Sequence, residues 1–273
     1  MELPGPLVTA DWLYEHLTEV RVIDVRWAID TGPQHDAYVA AHIPGAVFAD
    51  LDVDLSGPPG EGGRHPLPTP EAFADTRTHL GLGDVPVVAY DNRGGPVASR
   101  LWWMLDAIGV PAAVLDGGVS AWRWDLESGD YSVLLDEAVA PIEWPSDRLI
   151  EADAIPAALD AGSVLIDARS RERFRGDPNP TDDPAGHIPG AVSHPWDENI
   201  TDDGVFADVD TLRARLLADG ITADSAVLAS CGSGVTACHN LLAARLCGVA
   251  DTKLYVGSWS QWSKSGRPVE TGE

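Results

Sequence analysis

The segment CGSGVTACHN, residues 231–240, puts a thiol at the mouth of a loop of glycine, serine and threonine. It lies between the apolar runs AVLAS and LLAARL. Small residues let successive backbone N–H groups converge into an anion-binding nest, and a helix beginning just beyond adds positive potential. Such a setting lowers a thiol pKa and makes the thiolate a nucleophile. The opposing reading is packing, since cysteine is among the most frequently buried residues and often only fills space at a strand end. On the loop alone, both readings of Cys231 stand. Cys238 and Cys247 fall on or at the end of the following helical stretch, where packing is the expectation. The three cysteines and His239 lack the paired spacing of a zinc site.

Residue types separate the reactions that use such a loop. A nucleotide-phosphate loop ends in Gly-Lys-Ser/Thr, and no Lys is present here. A cysteine phosphatase needs an Arg closing the loop to clamp phosphate bidentately, and the closing position holds Ala237. A neutral loop able to stabilise one extra anionic atom suits a persulfide, Cys–S–S⁻.

The elements that must position this loop are repeated along the chain. RVIDVR (21–26) recurs as VLIDAR (164–169), and AAHIPGAV (40–47) as AGHIPGAV (185–192). VVAYDNRGGPVASRLWW (87–103) has the shape of VLASCGSGVTACHNLLA (227–243), and AVLDGGVSAW (113–122) that of KLYVGSWSQW (253–262). Four matched pairs in one order and at nearly one spacing mean two homologous domains. In each half short apolar runs (VRVIDV, VVAY; SVLIDA, AVLA) read as buried strands. They alternate with helical stretches: TADWLYEHL, SRLWWMLDAIG, IPAALDAG, VDTLRARLLADG and ACHNLLAARLCG. That alternation predicts an α/β fold with a parallel sheet in each half and the working loops at the carboxyl ends of the strands. The expected division is residues 1–126, a linker over 127–147, and 148–273. The linker has no counterpart in the repeat and is expected to pack along the second domain through Tyr131 and Trp144.

Composition narrows the function classes. The formal charge is −25, from 43 acids and 18 bases of which only Lys253 and Lys264 are Lys. So acidic a chain is a poor partner for nucleic acid, and its charge reads as a well-solvated surface. No long uncharged apolar run suggests a membrane span, and the N-terminal residues do not read as a signal peptide. An odd cysteine count in a long chain fits a reducing cytoplasm better than a disulfide framework.

With the HIPGA motif in each half, one cysteine loop in the second half and the closing GSWSQW, the chain resembles a two-domain rhodanese-family sulfurtransferase along essentially its whole length. The resemblance implies two rhodanese-like domains, each a parallel sheet flanked by helices. Tandem members usually lack the cysteine in their first domain, and the repeat sets Asp91 opposite Cys231. Cys231 thereby becomes the expected nucleophile. Within the family the loop is similar to that of 3-mercaptopyruvate sulfurtransferases, because thiosulfate-preferring members tend to carry Arg or Lys inside it. Here Gly232, Ser233 and Val235 stand there, and Gly234 and Thr236 complete the expected substrate-binding loop. The resemblance further implies a Ser233–His65–Asp52 relay that moves the proton between incoming thiol and departing enolate. It implies a carboxylate-binding arginine at Arg175, in RFRG. Because His65 and Asp52 come from the first half, it places the site in the cleft between the domains. The family's second carboxylate-binding Arg is missing from GDPNPTDDPAG, which leaves Arg64, Arg93 or Arg169 as substitutes. The implied reaction passes sulfur from 3-mercaptopyruvate through a Cys231 persulfide to cyanide or a thiol such as thioredoxin, in a monomer without metal or organic cofactor. The alternatives are a thiosulfate:cyanide sulfurtransferase and a non-catalytic persulfide carrier.

Overall fold

Apolar, β-branched runs buried on both faces form parallel sheets, as continuous hydrophobic strands do. The computed structural model describes every residue except Asp84, Leu134, Asp136 and Glu273. Its chain divides into unit 1 (residues 1–57, 67–144 and 202–206) and unit 2 (residues 58–66, 145–201 and 207–273). Each unit therefore includes a short segment from the other half of the sequence.

Unit 1 runs β1 (Leu7–Val8), α1 (Ala10–His16), β2 (Arg21–Asp24), β3 (Trp27–Ala28), β4 (Gly32–Pro33), α2 (His35–Ala40), β5 (Val47–Phe48), α3 (Pro70–His79), β6 (Val87–Tyr90), α4 (Ala98–Ala107) and β7 (Ala112–Leu115). Its main sheet has the order β1-β7-β6-β2-β5, with every pairing parallel. Thr9 and Thr69 start α1 and α3 by accepting the backbone N–H of Trp12 and Ala72, each at 3.2 Å.

Unit 2 continues with α5 (Ile155–Asp160), β8 (Val164–Asp167), α6 (Arg171–Arg175), β9 (Ala191–Ser193), α7 (Val209–Ala218), β10 (Val227–Ser230), α8 (Ala237–Leu246), β11 (Thr252–Leu254) and α9 (Ser258–Trp262). Its sheet order is β11-β10-β8-β9, again parallel. Leu149 adds a parallel bridge to Leu254 at the place β1 takes in unit 1. The same order thus occurs in both units. In each, the chain leaves the central strand (β2 or β8) to one side and returns on the other (β6 or β10). That reversal opens a crevice at the carboxyl ends of the strands, and Cys231 directly follows β10.

The linker departs from expectation. Of its residues, Leu134 and Asp136 lie outside those described, and the stretch up to Trp144 belongs to unit 1. Glu127 and His42 exchange backbone hydrogen bonds at 2.9 Å and start it along that unit. Tyr131 N–H then donates to the Tyr38 hydroxyl at 3.1 Å. The Trp144 indole donates to the Pro68 carbonyl at 2.8 Å, and its ring lies 5.2 Å from that of Phe73 and 6.5 Å from that of Trp103. The rings of α3 and α4 offer Trp144 an apolar bed with a carbonyl at its rim. Tyr131 and Trp144 accordingly pack on the first unit. No helix among the described residues is long and apolar enough to cross a membrane.

Candidate active site

Strand β10 (VLAS) is buried throughout and delivers Cys231 into the crevice with only 2% of its surface exposed. The chain turns at once, so the Sγ atom accepts backbone N–H groups from Ser233 at 3.4 Å and Gly234 at 3.1 Å. The turn needs glycine at 234, where φ is +79° and a Cβ would strike the Val256 carbonyl oxygen. Val235 and Thr236 lead from it into α8. Cys238 sits fully buried on α8 and donates its S–H to the Gly234 carbonyl at 3.4 Å.

The segment opening α9 fixes the loop's backbone. Ser258 Oγ accepts from Cys231 N–H at 3.0 Å and donates to the Tyr255 carbonyl at 2.9 Å. The N–H groups of Trp259 and Ser260 donate to the carbonyls of Cys231 and Gly232, each at 2.9 Å. Unit 1 repeats this clamp, with Val119 N–H on Asp91 at 2.9 Å and Ser120 N–H on Asn92 at 3.2 Å. There the loop closes around a carboxylate: Asp91 accepts from Gly95, Val97 and Ala98 N–H at 3.1, 2.9 and 3.0 Å. Burial pushes the Asp91 carboxyl up to about 6 even against those three donors.

A third segment, residues 58–66, enters unit 2 from the first half of the sequence. Gly60 and Gly63 pair reciprocally at 3.0 Å and fold it into a tight turn. A Cβ on Gly63 would meet the Gly257 carbonyl and Ser260 Oγ at 2.8 Å, so only glycine lets the turn seat this closely. Arg64 N–H donates to Ser260 Oγ at 3.0 Å, and the Gln261 amide donates to the Glu61 carbonyl at 3.1 Å. The seating brings His65 Nδ1 within 2.8 Å of Ser233 Oγ, a hydrogen bond between two residues far apart in sequence. Cys231, Gly232, Ser233, Gly234, Val235, Thr236 and His65 thus meet in unit 2. Asp52 is an exposed residue of unit 1, where its carboxylate accepts the Trp27 indole N–H at 3.1 Å.

The arginines sort by their partners. Arg175 is not brought to the cysteine loop. It pairs with Asp177 at 3.0 Å and lines a cavity with Arg171, Phe174, Ala191–Ser193 and Asp219; among the described residues no member of the loop lines it. Arg173 is the arginine of RFRG at the loop: a Cβ on Gly232 would fall 3.0 Å from its guanidinium. Two residues on a helix are about 200° apart around its axis, so Arg173 and Arg175 cannot serve one side. Arg173 is held bidentately by Asp182, at 2.7 Å to each oxygen. Arg169 is buried and pairs with Asp167 at 2.7 Å and Asp182 at 3.3 Å, and its guanidinium stacks 4.7 Å from the Trp259 ring centre. Burial works to raise the Asp182 carboxyl, but Arg173, Arg169 and Arg64 hold it below the usual carboxylate range. Arg93 belongs to unit 1 and donates to the Asp202 carbonyl there.

Sequence reasoning missed Arg173, Asp182, Ser258 and Ser260. The helical angle could have separated Arg173 from Arg175, and the alignment of AVLDGGVSAW with KLYVGSWSQW already sets Ser120 opposite Ser260. Asp182 carried no signal, because its role depends on where two arginines fold.

Comparison with known proteins finds the same two-fold repeat. The Rhodanese-like domain family matches residues 9–124 and again 151–265. The "Probable 3-mercaptopyruvate sulfurtransferase" of Pseudomonas aeruginosa is 41% identical, covering 98% of this chain and 98% of its own. The "Putative thiosulfate sulfurtransferase SseB" of Mycobacterium tuberculosis is 40% identical over 93% of this chain and 91% of its own. Among solved structures, SseA from Escherichia coli, described with the fold of 3-mercaptopyruvate sulfotransferases, superposes with a TM-score of 0.79 at 34% identity. That match covers 94% of this chain and 99% of SseA.

Proposed function

The chain belongs to the rhodanese-like family, and from that premise we propose that it is a sulfurtransferase working through a Cys231 persulfide, with 3-mercaptopyruvate as its donor. Cys231 thiolate attacks the donor sulfur. The S–S bond forms as the C–S bond breaks, and the electron pair leaves on the pyruvate enolate, which takes a proton at carbon. Backbone N–H groups of Ser233 and Gly234, already on Sγ, stabilise charge that spreads over the growing disulfur unit. A thiol acceptor such as thioredoxin, or cyanide, then attacks the outer sulfur and returns the Cys231 thiolate. No metal or organic cofactor takes part.

The observation that carries this reading is the 2.8 Å hydrogen bond between His65 and Ser233, two residues from a thiol held by backbone donors. The donor's thiol must lose its proton and the enolate must gain one, so a hydroxyl–imidazole pair beside Sγ fits a mercapto-acid. Thiosulfate carries no such proton. In this reading Arg173 faces the donor carboxylate in place of Arg175. A pure persulfide carrier would leave the His65–Ser233 pair without a task.

Thiosulfate remains the second reading, favoured by two guanidinium groups, from Arg64 and Arg173, at Gly232. They bring positive charge to a loop whose own sequence has none. Steady-state assays of His65→Ala with both donors separate the readings. Loss of general acid–base catalysis lowers kcat for 3-mercaptopyruvate about 100-fold and leaves thiosulfate turnover within about threefold. Equal rates for variant and wild type with 3-mercaptopyruvate would remove the relay from the mechanism.

A further inference from the structure

Of the four arginines near Cys231 or named as substitutes for the missing one, three already hold a carboxylate or carbonyl of the protein. Arg169 spends its Nε, Nη1 and Nη2 on Asp167, Asp182 and the Gly186 carbonyl. Arg173 gives Nε and Nη2 to the two oxygens of Asp182. Arg93 is bonded within unit 1. Arg64 differs. Its backbone N–H is anchored on Ser260 Oγ at 3.0 Å, yet among the described residues its guanidinium makes no hydrogen bond or ion pair. That guanidinium is half-buried and lies 2.9 Å from where a Cβ on Gly232 would stand, beside that of Arg173. Burial, then the neighbouring Arg173 charge, both act against its protonated form, while Cys231 and Asp182 support it. A partly desolvated cation held against a like charge, with its fork of donors unused, is an arrangement that an incoming anion relieves.

We propose that Arg64 is the specificity-determining side chain that grips the donor's carboxylate, substituting for the arginine missing between residues 176 and 186. The proposal rests on the 3-mercaptopyruvate reading above. Gly232 is the feature that makes room: with no side chain it leaves both guanidiniums open toward the loop, and any Cβ would collide with them. Arg173, locked by Asp182, adds positive potential from a fixed position. Arg64, whose guanidinium has no hydrogen bond or ion pair among the described residues, closes on the ligand in the bidentate geometry that suits a carboxylate.

The test compares 3-mercaptopyruvate with mercaptoacetone, which keeps the reacting thiol and carbonyl but lacks the carboxylate. Arg64→Gln in the full chain raises KM for 3-mercaptopyruvate roughly 10- to 100-fold, the range for losing a charge-assisted hydrogen bond, with kcat changed less than about threefold. Turnover of mercaptoacetone is the same in variant and wild type, which also shows that the variant folds. Arg64→Lys recovers part of the lost KM. An unchanged KM in Arg64→Gln, with wild-type enzyme active on 3-mercaptopyruvate, overturns the proposal and leaves the reading of the function intact. An equal loss with both donors also overturns it, since the residue would then act on Cys231 or on the fold. Failure of the wild type to use 3-mercaptopyruvate sinks the underlying reading first.

Discussion

Ser258 is the one described non-glycine residue with its backbone in the left-handed region, at φ +49°. Its counterpart in unit 1 is Gly118, at φ +60°, where a Cβ would approach the Asp91 carbonyl oxygen to 2.5 Å. A serine in that conformation costs on the order of 1–3 kcal/mol. What it supplies is an Oγ on the Cys231 N–H, a bond the glycine of unit 1 cannot make. Strain and a buried hydrogen bond of about 1 kcal/mol offset one another in stability. Ser258→Gly should therefore leave the unfolding free energy within about 1 kcal/mol of wild type by chemical denaturation. It should still lower kcat/KM for the sulfur donor roughly 10- to 100-fold, because a loosened Cys231 misaims its Sγ. A variant as active as wild type would make Ser258 a packing residue only. At this scale the loop setting of Cys231 was legible, since its glycine and serine neighbours adjoin it in sequence, while the role proposed for Ser233 came from the family resemblance. The sequence was least legible for Arg173 and Asp182, which lie nine residues apart and pair across the turn that follows α6.

At the scale of elements, the loop after β6 and the loop after β10 are one structure with two contents. Both are clamped by the segment after the next strand, and both turn backbone N–H groups inward. In unit 1 the nest holds its own carboxylate, so Asp91 occupies the place that Cys231 takes in unit 2. Its carboxyl is pushed up to about 6, above the ordinary value, so the folded state holds a proton that the unfolded chain releases. The stability difference between wild type and Asp91→Ala should grow as pH falls from about 6 toward 4, by on the order of 1.4 kcal/mol per pH unit. Denaturant titrations across that range test this, and a flat or reversed difference would mean that the three N–H donors outweigh burial. Strand and helix alternation read correctly for the periodic stretches α1, α4, α5, α7 and α8. The short helices α6 and α9 carry too few turns for periodicity to register, although they position Arg173 and the Ser258 clamp. The linker misled because its aromatic residues announce packing without saying on which surface. Trp144 chose the rings of Phe73 and Trp103.

At the scale of the molecule, the repeat is what the sequence displayed best. Matched motifs predicted two parallel sheets, and both have the same strand order. What the repeat could not display is that residues 58–66 fold into unit 2 and 202–206 into unit 1. Those assignments depend on close backbone approach, at Gly63 in one and at Gly117 against Val205 in the other. No periodicity encodes such contacts. Through residues 58–66, the first half of the sequence brings Arg64 and His65 to the loop that carries Cys231, the geometry on which the proposed chemistry rests. The measurement that tests this account most directly is intact-protein mass spectrometry after one equivalent of 3-mercaptopyruvate, with released pyruvate counted in the same sample. The account predicts one added sulfur atom per chain, matched by one pyruvate, removed by a thiol acceptor and absent in Cys231→Ser. Pyruvate release without added sulfur, or a sulfur adduct that persists in Cys231→Ser, would contradict it.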